Sequence, residues 1–122
     1  MKKSPKKPKP PLERDIQRSI VQWLRAQGWN VWQTSQGFRP QPGGTRMTRG
    51  IPDLYAVNLR YGAVWIEVKR SPAAVIRPDQ QAFHDLHEDE VACDTIPRAM
   101  IAHSLDYVRD WFAKEGWSQE AT

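Results

Sequence analysis

Residues 51–69 read IPDLYAVNLRYGAVWIEVK, and this stretch decides the fold. Two apolar runs, Asp53–Asn58 and Ala63–Lys69, flank the short turn Leu59-Arg60-Tyr61-Gly62, which is the pattern of a β-hairpin. The period of two in the second run sends Val64, Ile66 and Val68 to one face and Glu67 and Lys69 to the other. Pro52-Asp53 opens the first run, 14 residues before Glu67. A hairpin brings the start of its first strand beside the end of its second, so Asp53 and Glu67 are expected to converge. Two carboxylates and a main-chain carbonyl such as that of Val68 form a hard oxygen site suited to Mg²⁺ or Mn²⁺. A lysine on the same face is placed to hold a water and to offset charge growing on a phosphate. The alternative is an amphipathic edge strand whose Glu67 and Lys69 face solvent, with Asp53 as a turn residue.

Upstream, Leu12–Gln27 reads as a helix, because Ile16, Ile20, Trp23 and Leu24 fall on one stripe and Gly28 stands where a helix ends. Trp29–Thr34 alternates as a strand does, and Ser35–Gly50, with four Gly, two Pro and three Arg, reads as a long loop. Downstream, the loop Arg70–Arg77 leads to Pro78, suited to a first helical turn, with Phe83 and Leu86 spaced for a buried stripe. Ala99–Ala102 reads as a short strand. Ser104 is placed to cap a last helix with the stripe Leu105, Val108, Trp111 and Phe112, stopped at Gly116. Helix, strand, hairpin, helix, strand, helix is the order of an α/β domain with a mixed central sheet flanked by helices.

A chain of 122 residues with 39% hydrophobic side chains suits a single core. Residues 1–11 hold five Lys and four Pro and read as a disordered basic tail, 12–117 as the folded domain, and 118–122 as a short C-terminal tail. The tail is either a phosphate-binding arm or a solubilising one. Charge is segregated: +5 over residues 1–11, +6 over 12–78 and −7 over 79–122, which suits either a protein that presents one face to a polyanion or solvated surface charge segregated by chance. No apolar run is long enough for a membrane span or follows the first lysines as a signal peptide requires. With a single Cys, at position 93, a disulfide framework and a Cys-based zinc site are excluded, and the expectation is a cytoplasmic protein. His84 and His87 lack the further ligands a zinc site needs, and Cys93 lacks a matched histidine motif. Gly43-Gly44 is not a P-loop, so no nucleotide cofactor is expected. Trp111, Phe112 and Trp117 are assigned to the core or to a subunit interface.

Ile51-Pro52-Asp53-Leu54 followed by Ile66-Glu67-Val68-Lys69 resembles the signature of the PD-(D/E)xK nuclease superfamily. From Glu13 to about Phe112 the chain resembles, more narrowly, the virus-type replication-repair nuclease (VRR-NUC) domains. The shared features are Glu13 near the start of the first helix, Gly28-Trp29, Arg49-Gly50-Ile51-Pro52-Asp53, Glu67-Val68-Lys69 and Pro78-Asp79-Gln80. The segment Glu88–Arg98 departs from the pattern, lacking a simple glycine turn. The resemblance implies a restriction-endonuclease-like core in which Asp53 and Glu67 bind Mg²⁺, or Mn²⁺, with the Val68 carbonyl. It implies that Glu13 reaches the metal directly or through water, that Lys69 orients or activates the attacking water, and that Gln80 hydrogen-bonds near Lys69 or the phosphate. Glu13 also suits a first-turn acid on a helix dipole, and Gln81 is the alternative match to Gln80.

The implied activity is hydrolysis of phosphodiester bonds in DNA, with branched DNA such as Holliday junctions as substrate and a C2 homodimer to make two symmetric cuts. Arg39, Arg46, Arg49 and Arg70 flank the site in sequence and are the expected phosphate contacts. Phe38 and Trp32 are candidates to stack on unpaired bases, although core packing is the place expected for Trp32. Two other readings remain: a non-catalytic DNA-binding module on a nuclease scaffold, and a nuclease that cuts linear duplex.

Overall fold

The computed structural model describes residues 11–34, 50–88 and 96–118. Helix α1 runs over Glu13–Ala26 and buries Ile16, Ile20, Val21 and Leu24. Trp23, expected on the same stripe, is half-buried and meets the buried Phe112 edge-on at 5.5 Å. After Gly28, strand β1 (Asn30–Gln33) begins a meander with β2 (Leu54–Asn58) and β3 (Gly62–Val68). Both pairings are antiparallel, with Val31 opposite Ala56 and Leu54 opposite Ile66. The hairpin turn is three residues, Leu59–Tyr61, and is closed by Tyr61 N–H donating to Asn58 O at 3.2 Å.

Helix α2 (Pro78–His87) follows, and β4 (Arg98–Ala102) then joins β3 in parallel, so the sheet is mixed with order β1-β2-β3-β4. Helix α3 (Leu105–Glu115) closes the described chain. Its cap is the one expected: Ser104 Oγ accepts from Tyr107 N–H at 3.1 Å, and Gly116 takes the left-handed conformation (φ 72°) that stops it.

The period of two places the core. Leu54, Ala56, Val64, Ile66, Val68, Met100 and Ala102 share one face of the sheet and are buried beneath α1 and α3. Trp111 and Trp117 pack against this core around Phe112, as Trp29 does from within it, so these C-terminal aromatics are packing residues. Helix α2 lies on the opposite face and is covered differently from expectation. Phe83 is half-buried, with its ring edge-on to Trp65 at 5.5 Å, but Leu86 is 62% exposed. The buried residue of α2 is a polar one, Gln80, because the first turn of the helix faces β3 where Glu67 emerges. Trp32, on β1, is 55% exposed and so is not a core residue.

Among the described residues, no helix is long and apolar enough to cross a membrane. Residues 1–10, 35–49, 89–95 and 119–122 lie outside the described set, so the tails, the glycine loop with Phe38, Arg39, Arg46 and Arg49, and Cys93 receive no structural account.

Candidate metal centre

Asp53 stands immediately before β2 and Glu67 is the penultimate residue of β3. The antiparallel register that sets Leu54 opposite Ile66 brings them together, as the hairpin spacing requires. Thr34 fixes the start of β2 twice: its N–H donates to Asp53 O at 2.9 Å and its hydroxyl to Pro52 O at 2.6 Å. The backbone of β3 completes the placement. Lys69 N–H donates to Ala102 O of β4 at 2.8 Å, so the alternate residue Val68 turns its N–H and carbonyl toward the β2 side. There Val68 N–H donates to Asp53 Oδ2 at 2.9 Å. The carboxylate of Asp53 therefore takes the place of a ladder partner at the end of the hairpin, and the Val68 carbonyl projects to the same side.

Glu67 is only 7% exposed, which removes the reading of a solvent-facing edge strand. Its carboxyl is pushed from the ordinary value near 4.5 up to about 8, first by burial and next by the neighbouring charge of Asp53, to which it is also hydrogen-bonded; Lys69 and Arg77 act in the opposite direction. Two carboxyl groups thus face one another where only one carries its charge comfortably. A divalent cation relieves that conflict, so the donor set fits Mg²⁺ or Mn²⁺: two carboxylates and a carbonyl, all hard oxygens.

Gln80 is the residue that organises the rest. Its Nε2 donates to Glu67 Oε1 at 2.9 Å, while its Oε1 accepts from Lys69 Nζ at 3.0 Å and from Arg77 N–H at 3.0 Å. Lys69 Nζ lies 3.7 Å from Glu67 Oε1, with its side chain largely buried. Gln81, the alternative match, faces outward and donates to Asp85 Oδ1 at 2.7 Å. Pro78 at the first position of α2 sets that register.

The remaining expected residues are placed less closely. Glu13 is exposed at the first turn of α1. Among the described residues no group of three His, Cys, Asp or Glu side chains stands together, so Glu13 is not gathered with Asp53 and Glu67. One turn further along α1, Gln17 Nε2 donates to Gln33 Oε1 at 3.2 Å, and Gln33 pairs with Leu54, the neighbour of Asp53. Arg70 is exposed immediately beyond Lys69.

Two contributors were not legible as site residues. Arg77, which the sequence marks as the end of a loop, acts on Glu67 through its charge and on Gln80 through its N–H. Gly50 is buried at φ +91°, and a Cβ there would stand 2.8 Å from Asp79 O in the first turn of α2. Only glycine allows the segment leading to Asp53 and the N-terminus of α2 to come this close. Its signal in the sequence is its place in Arg49-Gly50-Ile51-Pro52-Asp53.

No family model matches the sequence, and a search of curated proteins finds no match. A solved structure described as a "VRR_NUC domain" is similar, with 20% sequence identity and a TM-score of 0.59, covering 84% of this chain and 94% of that chain. The chain has the fold of that domain: among the described residues, a mixed four-stranded sheet with three helices, the α/β architecture with a mixed central sheet that the sequence implied.

Proposed function

We propose that the chain is a divalent-metal-dependent endonuclease that hydrolyses phosphodiester bonds in DNA, with branched DNA such as a Holliday junction as its substrate. One observation carries the reading: a buried glutamate and an aspartate from two strands converge, with a lysine and a glutamine hydrogen-bonded together beside them. A structural role gives no reason to bury one carboxyl against another.

Asp53, Glu67 and the Val68 carbonyl would hold Mg²⁺, or Mn²⁺ in its place, with Glu13 reaching the ion directly or through water. The ion, when bound, supplies an activated water and offsets charge on the phosphate. Lys69 Nζ, held by Gln80 Oε1 at 3.0 Å, orients the attacking water and places positive charge beside the phosphate as its negative charge grows. Gln80 keeps Lys69 and Glu67 in fixed relation, so the lysine that orients the water stays in register with the carboxylate that would hold the ion. Arg39, Arg46, Arg49 and Arg70 take phosphates on either side of the scissile bond. A four-way junction has two symmetric cuts and the chain one candidate site, so the working form is a C2 homodimer.

The test is incubation of a labelled four-way junction and a matched linear duplex with Mg²⁺, Mn²⁺ or EDTA. Metal-dependent nicking of the junction is expected. Tight binding without cutting in either metal contradicts the proposal and leaves a DNA-binding module. Cutting of linear duplex at one fixed sequence contradicts the substrate assignment.

A further inference from the structure

Helix α1 carries a second feature that the metal centre does not use. Arg14, Arg18 and Arg25 fall within about 40° of one another at 100° per residue, one basic stripe along the helix. The stripe lies along β1, since Arg25 bonds to Val31 and Gln33 lines the same groove as the arginines, and among the described residues β1 has a strand on one side only, β2. The groove, of about 550 Å³, is lined by the three arginines with Gln17, Val21, Gln22 and Gln33. Among the described residues, the lining holds three positive charges, three amides and no carboxylate. Arg25 Nη2 donates to Val31 O at 3.3 Å, anchoring the far end of the stripe to the edge of β1. At the near end, Gln17 bonds to Gln33, the partner of Leu54, one residue from Asp53.

From these observations we infer that the groove between α1 and the edge of β1 is a binding track for the sugar–phosphate backbone of DNA, leading away from the metal centre. Arg14 to Arg25 spans about 16 Å of helix, room for several consecutive phosphates at about 3.4 Å of duplex axis each. Guanidinium forks and side-chain amides are the donors that phosphate oxygens take. The inference rests on the proposed nuclease reading for its choice of DNA as the polyanion, but not on any cutting.

The test is therefore run in EDTA, where binding is read without cleavage: fluorescence anisotropy of a labelled four-way junction and a labelled single strand over a range of salt. Replacing Arg14, Arg18 and Arg25 together by Gln is expected to weaken binding and to reduce the slope of log affinity against log salt by roughly 2 on the single strand and 3 on duplex arms. Replacing the same three by Lys is expected to retain most of the slope. If the triple Gln variant loses its circular dichroism, Arg14→Gln with Arg18→Gln, both exposed and apart from the Val31 bond, gives two-thirds of the effect. Unchanged slope and affinity in the folded Gln variants would overturn the track and leave the groove to some other acidic partner. A Lys variant as weak as the Gln variant would overturn the phosphate assignment. Neither result touches the cleavage reading, and a protein that binds through the groove but never cuts would fail that reading alone.

Discussion

Gln80 Nε2 donates to Glu67 Oε1 at 2.9 Å, and this one bond ties the first turn of α2 to the carboxylate-bearing end of β3. The same amide accepts from Lys69 Nζ and from Arg77 N–H, so a single side chain sets the position of three neighbours. The sheet supplies the carboxylates, and the helix supplies their alignment.

Gln80→Ala removes all three contacts. Cleavage is expected to fall by about 10- to 100-fold, the usual cost of losing a partner that orients a metal-site ligand. Leaving Glu67 and Lys69 without this partner also lowers stability by about 1–3 kcal/mol. Gln81→Ala, on the exposed side of α2, leaves both unchanged. Equal effects of the two substitutions on cleavage would contradict the assignment of Gln80.

Glu67 makes stability depend on pH in a predictable direction. In the unfolded chain its carboxyl ionises near 4.5, and in the folded protein near 8, raised first by burial and next by Asp53. Below about pH 4.5 it is protonated in both states and costs nothing. As pH rises from there to 8, the folded state keeps a proton that the unfolded state releases, so stability declines, and the decline levels off above 8. Glu67→Gln mimics the protonated form. It is expected to match the parent in thermal unfolding at pH 4 and to exceed it by a few kcal/mol at pH 9 in EDTA. Mg²⁺ should narrow the gap by stabilising the parent alone, and parallel melting profiles across this range would refute the account.

Gly50→Ala forces a Cβ to within 2.8 Å of Asp79 O at a backbone conformation that L-residues avoid. The expected cost is about 2 kcal/mol or more, a melting temperature lower by several degrees, and reduced cleavage because α2 moves away from β3. Gly28→Ala, which meets nothing within 4 Å, separates the two effects: its φ of +88° carries the conformational cost without the clash. Similar losses of cleavage in both variants would argue against a specific approach at Gly50.

Leu86→Ala is expected to change stability by no more than about 0.5 kcal/mol, because this side chain is exposed. Phe112→Ala, by contrast, empties a fully buried site and costs about 3–5 kcal/mol. Urea unfolding of the two variants checks the layering of the fold, and a large loss for Leu86→Ala would restore the buried stripe that its spacing suggests.

These particulars show where sequence patterns carry structural information. Asp53, Glu67 and Lys69 were legible because a period of two and a hairpin register are local properties: once Val64, Ile66 and Val68 point inward, the opposite face is determined. The mixed sheet was legible from the order of helices and apolar runs, while the parallel pairing of β4 with β3 is what the structure adds. The choice between Gln80 and Gln81 was open because one residue is 100° of helix, and only docking against β3 decides which amide turns inward. Leu86 misled because spacing reports a stripe but not whether anything covers it. Gly50 and Arg77 act through contacts with segments about 30 and 10 residues away, which no local pattern encodes.

On the proposed function, Asp53, Glu67 and Lys69 form a working centre, not a relic of one. The most direct test follows cleavage and binding of the same labelled four-way junction by the parent and by Lys69→Ala, in Mg²⁺ and in Mn²⁺. The account predicts that the variant binds as the parent does but nicks the junction about 10²- to 10⁴-fold more slowly. Nicking at the parent's rate by Lys69→Ala, or junction binding by both proteins with no metal-dependent cleavage by either, would contradict it.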